Sequence, residues 1–171
     1  DGELGGCKAQ PLIAADLAPT IISNGGTPDL WRAHEVTAAT EHRPGTYIYM
    51  DRFQVSKDVG GFDDCALTVL ATIVSRPTDD RAIIDAGSKA LTSDTLGMDG
   101  FGLIEEYPEA RIVGLSEEHG TIDLSACTDK PQIGDTVRII PNHACVVSNL
   151  FDHVTLISGD DVVETVAVGA R

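Results

Sequence analysis

The chain has 171 residues, of which 42% are hydrophobic and 23% charged, so its composition is that of one globular domain of ordinary size and excludes a wholly disordered chain. Its 12 Lys and Arg face 27 Asp and Glu, and the formal net charge of -15 disfavours nucleic acid and anionic membranes as partners. Because no signal peptide and no apolar run of roughly 20 residues is recognisable, we expect a cytoplasmic protein.

The first forty residues are predicted to end with a strand, a glycine turn and a helix. The strand is the stretch Thr20–Ile22, the turn is Gly25–Gly26, and the helix runs from Thr27 to about Val36. We expect the Thr27 hydroxyl to cap this helix, and Pro28 suits its first turn because proline has no N–H to leave unpaired. An isolated strand and helix cannot bury their own faces, so residues 1–40 are predicted to be the tail of a larger α/β unit.

Residues 41–171 are predicted to form a second domain, built from short β-branched and aromatic runs between Gly, Pro and Asp. About eight short strands predict an antiparallel barrel or sandwich, and the turn after Ser158 predicts a hairpin between the last two. The predicted strands are Thr46–Asp51, Ala66–Ser75, Arg81–Asp85, Arg111–Leu115, Thr121–Leu124, Thr136–Pro141, His153–Ser158 and Val162–Val168.

The strongest chemical motif is His143-Ala144-Cys145, which directly follows an apolar strand. If the strand continues through it, the imidazole and the sulfur at i and i+2 point to one face and can bind one divalent cation, zinc being the natural candidate. Two protein ligands leave open positions, as in a Lewis-acid site. The alternative is a buried small thiol beside a hydrogen-bonded histidine, and a redox-sensing thiol at Cys145 is a weaker alternative still.

Three other features are weaker. The Gly25–Gly26 turn before the helix favours an anion such as phosphate, or is a plain turn. Glu117, Glu118 and His119 are interpreted as a solvated loop, and Lys89 as either a Schiff-base amine or a loop charge. The four cysteines include no C-x-x-C pair and are predicted to be reduced thiols: Cys7, Cys65, Cys127 and Cys145.

Several motifs occur in one order along nearly the whole chain. They are Ser23-Asn24-Gly25-Gly26-Thr27-Pro28, Arg43-Pro44-Gly45-Thr46-Tyr47, Met50-Asp51, Asp85-Ala86-Gly87-Ser88-Lys89-Ala90-Leu91, Glu117-Glu118-His119-Gly120 and Pro141-Asn142-His143-Ala144-Cys145. This ordered set resembles the C-terminal part of the D-threonine aldolase and D-serine dehydratase-like family, pyridoxal-phosphate enzymes of the alanine racemase fold type. The resemblance implies a mainly β fold, in which a C-terminal antiparallel β domain follows the last strand and helix of a pyridoxal-phosphate-binding (β/α)8 barrel.

The resemblance also implies roles for individual residues. The phosphate loop of the barrel would comprise Ser23, Asn24, Gly25, Gly26 and Thr27, and Tyr47 would contact the cofactor. His143 and Cys145 would hold a divalent metal, most simply zinc, with manganese or magnesium as alternatives. None of Lys8, Lys57, Lys89 and Lys130 lies in the context of the family's Schiff-base lysine, so the catalytic lysine is expected to be absent from this chain.

The function implied is a metal-assisted lyase acting on a β-hydroxy-D-amino acid. The reaction is either retro-aldol cleavage to glycine and an aldehyde, or elimination to an oxo acid and ammonia. Members with aldolase activity often carry aspartate where Cys145 stands, whereas the dehydratases resemble this chain. We expect a barrel-containing N-terminal polypeptide as partner and a homodimer of the complete enzyme. The alternative function is a noncatalytic β-domain fragment or a metal-binding structural module.

Overall fold

The computed structural model describes residues 14–17, 19–159 and 161–169. The predictions that concern Cys7 and Lys8 therefore lie outside the described residues, as does Asp160 in the predicted hairpin turn. Among the helices in these three ranges, none has the length and apolar character needed to cross a membrane.

In the described part of the chain there are ten strands and several short helices. Its α-helices are α1 (Arg52–Val55), α2 (Ser88–Leu91) and α3 (Ala144–Ser148), and its 3-10 helices are Thr27–Glu35, Thr46–Ile48 and Phe62–Asp64. The strands are β1 (Ser23–Asn24), β2 (Glu41–His42), β3 (Val69–Thr78), β4 (Arg81–Ile84), β5 (Leu103–Ile104), β6 (Arg111–Leu115), β7 (Gly120–Asp123), β8 (Thr136–Ile140), β9 (His153–Ser158) and β10 (Asp161–Ala167).

Six strands form one antiparallel sheet in the order β5-β8-β3-β4-β7-β6. Its two edges approach each other, because the N–H of Phe101, just before β5, donates to the carbonyl of Ile112 in β6 at 3.2 Å. The sheet is therefore a nearly closed barrel, which confirms the mainly β prediction and decides between barrel and sandwich.

The barrel interior is filled by alternate residues of its strands, as the period-2 pattern predicts. In β3, for example, Val69, Ala71 and Ile73 are buried while Leu70 is exposed. Isoleucine dominates this core, and its β-branched side chain packs well on a pleated sheet. The largest fully buried members are Ile73, Ile84, Leu91, Ile104, Ile112, Ile122, Leu124 and Ile139.

The segment before the barrel keeps the predicted order of strand, turn and helix, with two corrections. The strand starts at Ser23 rather than Thr20, and pairs in parallel with β2. The helix is a 3-10 helix whose N-cap is Gly26, without a side-chain cap, so the prediction that the Thr27 hydroxyl caps it is wrong. Pro28 lies in the first turn as expected.

The predicted strand Thr46–Asp51 is wrong. Its β-branched and aromatic residues form a 3-10 turn over Thr46–Ile48, Met50 has a positive φ of 52°, and Asp51 is the N-cap of α1. The strand β5 was not predicted from the sequence, because it has only two residues and directly follows Gly102, whose φ is 143°. Tertiary contacts overrode local propensity at both places.

The last two strands confirm the predicted hairpin. Ser158 pairs with Asp161, and Gly159 takes a positive φ of 62° in the turn. This hairpin is a separate two-stranded sheet, with most of its side chains exposed.

Candidate metal and cofactor site

The histidine and the cysteine lie in a turn that leads into a helix, not on a strand. β8 ends at Ile140, His143 is the N-cap of α3 with extended backbone, and Cys145 lies in the first helical turn. The prediction that both side chains project from one face of an extended strand is therefore wrong. They remain two residues apart in one short segment at the end of a barrel strand.

This segment is held by Asp51, a carboxylate with no exposed surface. One of its oxygens accepts the N–H of Gln54 at 2.9 Å and so caps α1, and the other accepts the N–H of Ala144 at 2.9 Å. A single side chain thus binds the first turns of two helices and fixes their relative position. Backbone bonds from Arg52 to Pro141 and from Phe53 to Asn142, at 3.0 and 3.3 Å, hold the same two segments together.

The imidazole of His143 has a carboxylate partner 49 residues away. Its Nδ1 lies 2.9 Å from Oδ2 of Asp94, in the loop after α2. This hydrogen bond, followed by one from the N–H of Leu96, holds the pKa of the Asp94 carboxyl below its ordinary value. One imidazole nitrogen is therefore occupied by a protein acceptor.

The sulfur of Cys145 is exposed and forms no disulfide. It lies 3.2 Å from the hydroxyl of Thr46, a hydrogen-bonding distance for sulfur. Together with the imidazole of His143 it offers one nitrogen and one sulfur donor, the types that zinc prefers. Within the described ranges no cluster of three or more His, Cys, Asp or Glu side chains is grouped around a cation position, so this pair is the donor set that the segment itself supplies.

The glycine loop has features that suit an anion. Gly25 adopts a φ of 140°, and an added Cβ there would overlap His42 and the backbone of Arg43. A Cβ at Gly26 would meet only Pro28, at 3.4 Å, so another molecule can approach the backbone that leads into the helix. The side chain of Arg43 lies beside the loop, where its Nε pairs with the carboxylate of Glu41 at 3.0 Å.

The first residues of this loop face β2. The hydroxyl of Ser23 donates to Glu41 at 2.9 Å and accepts from Nε of Arg43 at 2.7 Å. The carbonyl of Asn24 lies 3.1 Å from Nδ1 of His42. Ser23 and Asn24 therefore shape the loop through contacts within the chain.

One dipeptide contacts both candidate regions. The N–H of Tyr47 donates to the hydroxyl of Thr27 at 3.0 Å, and the preceding residue, Thr46, lies against the sulfur of Cys145. Thr27 is buried, while the ring of Tyr47 is 52% exposed and so is accessible to a ligand. The dipeptide thus lies within hydrogen-bonding distance of Thr27, at the end of the glycine loop, and of Cys145.

Two of the other motifs pack against each other outside this region. The N–H groups of Ser88 and Lys89 donate to the carbonyls of Ser116 and Glu117 at 2.8 and 3.1 Å. The Lys89 ammonium pairs with Glu118, which raises the pKa of Lys89 above its ordinary value. Since a Schiff-base amine needs a lowered pKa, the geometry favours the loop-charge interpretation of Lys89.

Sequence reasoning assigned no role to Asp51, Asp94 or Thr46. A signal for Asp51 existed, because Asp51-Arg52-Phe53-Gln54 is a helix-start pattern, but the run was interpreted as a strand. Asp94 has no local signal, since only the fold brings it to His143.

A nearly closed antiparallel barrel carrying this segment defines the class of the domain. An alanine racemase-like protein from Idiomarina loihiensis gives a TM-score of 0.76 at 25% identity, over 91% of this chain and 45% of that one. The family model described as "Putative serine dehydratase domain" matches residues 66–157, which include His143 and Cys145. The chain belongs to this D-serine dehydratase-like family, which confirms the resemblance seen in the sequence.

The chain is similar to an uncharacterized protein, to a dehydratase and to an aldolase. An uncharacterized protein of Mycobacterium tuberculosis is 39% identical in an alignment of 113 positions, which covers 63% of this chain and 85% of that protein. D-threo-3-hydroxyaspartate dehydratase of Delftia sp. is 32% identical in a gapped alignment of 182 positions, which covers 95% of this chain and 48% of the dehydratase. The structure of D-threonine aldolase from Filomicrobium marinum gives a TM-score of 0.78 at 25% identity, over 95% and 44% of the two chains.

A cysteine-to-alanine variant of D-threo-3-hydroxyaspartate dehydratase, solved in the metal-free form, gives a TM-score of 0.77 at 29% identity. That match covers 92% of this chain and 46% of the dehydratase. This chain therefore spans about half the length of the dehydratase and aldolase relatives that it matches.

Proposed function

We propose that this chain is part of a pyridoxal-phosphate-dependent, divalent-metal-assisted lyase that acts on β-hydroxy-D-amino acids. The observation that carries the proposal is the contact of Thr46 and Tyr47 with Cys145 on one side and Thr27 on the other. A metal held at Cys145 and a phosphate held at the loop before Thr27 would then belong to one site. Relatives named as a dehydratase and an aldolase of such substrates support the substrate class.

The proposed metal ligands are the imidazole of His143 and the sulfur of Cys145. Their donor types fit zinc best, with manganese or magnesium as alternatives. The metal-free cysteine-to-alanine variant of the related dehydratase supports a cysteine ligand. Asp51 contributes by fixing the segment that carries both side chains.

The proposed cofactor contacts are Ser23, Asn24, Gly25, Gly26 and Thr27, with Tyr47. Backbone N–H groups at the start of the 3-10 helix would bind the phosphate of the cofactor, because the helix has no side-chain cap. Tyr47, anchored through its own N–H, would position its exposed ring beside the cofactor. When bound, the cofactor supplies an electron sink for the substrate α carbon and the divalent ion supplies a Lewis acid for the β-hydroxyl.

The two candidate reactions share these residues and differ in their products. Cysteine at position 145 and the similarity to the dehydratase favour elimination to an oxo acid and ammonia. The similarity to the aldolase, at a TM-score of 0.78, favours retro-aldol cleavage to glycine and an aldehyde. Product analysis with one β-hydroxy-D-amino acid decides between the two.

The rest of the site is proposed to come from outside this chain. Residues 1–40 would be the end of a (β/α)8 barrel and residues 41–171 the β domain. A barrel-containing N-terminal polypeptide would supply the Schiff-base lysine, and the complete enzyme would be a homodimer. Each of these points stays a proposal, as does the cytoplasmic location.

The test uses the complete enzyme that contains this chain. His143→Ala and Cys145→Ala are expected to lose the metal and to lower kcat at least a hundredfold while the cofactor absorbance is retained. His153→Ala, in exposed β9, is the matched control and should keep both the metal and the rate. Full activity after chelation and removal of the metal would contradict the metal role.

The alternative, a noncatalytic β domain or structural metal module, makes different predictions. It expects neither turnover of β-hydroxy-D-amino acids nor cofactor binding when the chain is combined with its barrel polypeptide. If the chain is only a structural metal module, chelation should lower its thermal stability without any change in product formation.

A further inference from the structure

The two nitrogens of the His143 imidazole are in different environments. Nδ1 lies 2.9 Å from the carboxylate of Asp94, so it can carry a proton that it donates to Oδ2. A neutral imidazole with its proton on Nδ1 has its lone pair on Nε2. We infer that Asp94 is a positioning residue that fixes this tautomer and ring orientation, so that His143 binds a divalent metal through Nε2. The inference rests on the proposed metal role of His143.

Asp94 is well suited to orient a ring, because its two oxygens have separate partners. Oδ1 accepts the N–H of Leu96 at 3.1 Å, while Oδ2 faces His143. The N–H of Asp94 itself donates to the hydroxyl of Thr92 at 3.2 Å. Both the carboxylate and its backbone are thus held before any metal arrives, which lowers the entropy cost of orienting the imidazole.

A plain ion pair is the competing explanation of the same contact. In that case the imidazole is doubly protonated, both nitrogens are donors, and neither can bind a metal. Removing the carboxylate would then free the imidazole and leave metal affinity equal or higher. The orienting role predicts the opposite sign, since carboxylate partners of metal-binding histidines commonly contribute 10- to 100-fold in affinity, roughly.

The experiment measures the zinc affinity of the full chain by competition with a chromophoric chelator. We expect Asp94→Ala to weaken zinc binding about 10- to 100-fold. Asp94→Asn keeps an oxygen for the Leu96 N–H but turns its amide N–H toward Nδ1, so it should weaken binding at least as much as Asp94→Ala. The matched control is Asp123→Ala, which removes a similar loop bond, from the Ser125 N–H at 2.9 Å, with no histidine partner.

A second readout reports the ring itself. Long-range nitrogen–proton NMR spectra of the zinc-bound wild type should show His143 protonated at Nδ1 and bound through Nε2. In Asp94→Asn, whose amide N–H faces Nδ1, the proton should move to Nε2. This comparison holds even if Asp94→Ala does not fold. Unchanged affinity and an unchanged tautomer in Asp94→Asn would overturn the inference while leaving the metal role of His143 intact.

A failure of the proposed metal role would give different results from a failure of the inference about Asp94. If the wild-type chain binds zinc no more tightly than His143→Ala, the metal role of His143 is wrong, and the role of Asp94 is overturned with it. Binding through Nδ1 in the wild type would overturn only the inference about Asp94.

Discussion

The hydroxyl of Thr46 lies 3.2 Å from the sulfur of Cys145, although the two residues are 99 positions apart. Thr46 begins a 3-10 helix before the barrel, and Cys145 follows the last barrel strand. The contact shows that the segment before the barrel meets the segment that follows the last barrel strand. It also gives the proposed sulfur ligand a hydrogen-bonding partner of fixed position.

Thr46→Val tests this contact without a large change in shape. The variant should fold normally and bind zinc about fivefold more weakly, because one hydrogen bond to the sulfur contributes on the order of 1 kcal/mol. The same chelator competition measures the change. Thr155→Val, on exposed β9, is the control and should bind like the wild type. Equal affinity in the two variants would mean that the hydroxyl does not orient the sulfur.

Asp51→Ala should be strongly destabilising. The substitution leaves two buried N–H groups, those of Gln54 and Ala144, without their acceptor, and we expect a loss of about 3 kcal/mol in the free energy of unfolding. Urea denaturation measures this loss. Asp64→Ala removes a single exposed bond to the N–H of Gly61 and should cost less than about 1 kcal/mol. Similar losses in both variants would contradict the central role of Asp51.

Gly87→Ala should destabilise the chain by about 2 kcal/mol through overpacking. An added Cβ at Gly87 would overlap the backbone of Ser116 and Glu117, which cannot move without breaking the hydrogen bonds to Ser88 and Lys89. Gly114→Ala is the control, since a Cβ there meets nothing within 4 Å. A thermal melt of both variants gives the comparison, and equal melting temperatures would contradict this packing.

The cysteines should differ in reactivity. Burial, followed by the charges of Asp51 and Asp64, raises the pKa of Cys65 to about 11, whereas Cys145 is exposed. At pH 8 iodoacetamide should therefore modify the exposed Cys145 before Cys65, because raising the pKa of Cys65 from 9.0 to about 11 leaves that thiol with about a hundredfold less thiolate. Peptide mapping after brief alkylation measures the order. The denatured chain serves as the control, in which the two rates should converge.

The same raised pKa has a consequence for stability. Below pH 9 the Cys65 thiol is neutral in both folded and unfolded chains, so it contributes no pH dependence. As the pH rises from 9 to 11, the unfolded chain gives up this proton and the folded chain keeps it, so the free energy of unfolding falls. Cys65→Ser should lose this decline in urea denaturation between those pH values, and an unchanged slope would contradict the assignment.

Much of the fold could be predicted because alternation along a strand is a local property. β4, β6 and β7 have bounds close to those predicted, since buried residues alternate with more exposed ones within the strand itself. The segment from Thr46 to Asp51 has the same composition but folds as a turn and a helix start, because Asp51 caps two helices that local propensity does not reveal. A strand-like composition therefore produces a strand only where tertiary contacts allow the segment to be extended.

The sequence by itself determined the family and the mainly β architecture, and it predicted the pair His143 and Cys145 as metal ligands, because all three depend on residue types at short spacing. Only the tertiary structure decided that the pair starts a helix, that Thr46 contacts its sulfur and that Asp94 binds its imidazole. Those partners lie 49 to 99 residues away from the motif, and closure of the barrel is what brings them within hydrogen-bonding distance. A sequence pattern can predict which side chains bind a metal, but the geometry of those side chains depends on the residues that the fold places around them.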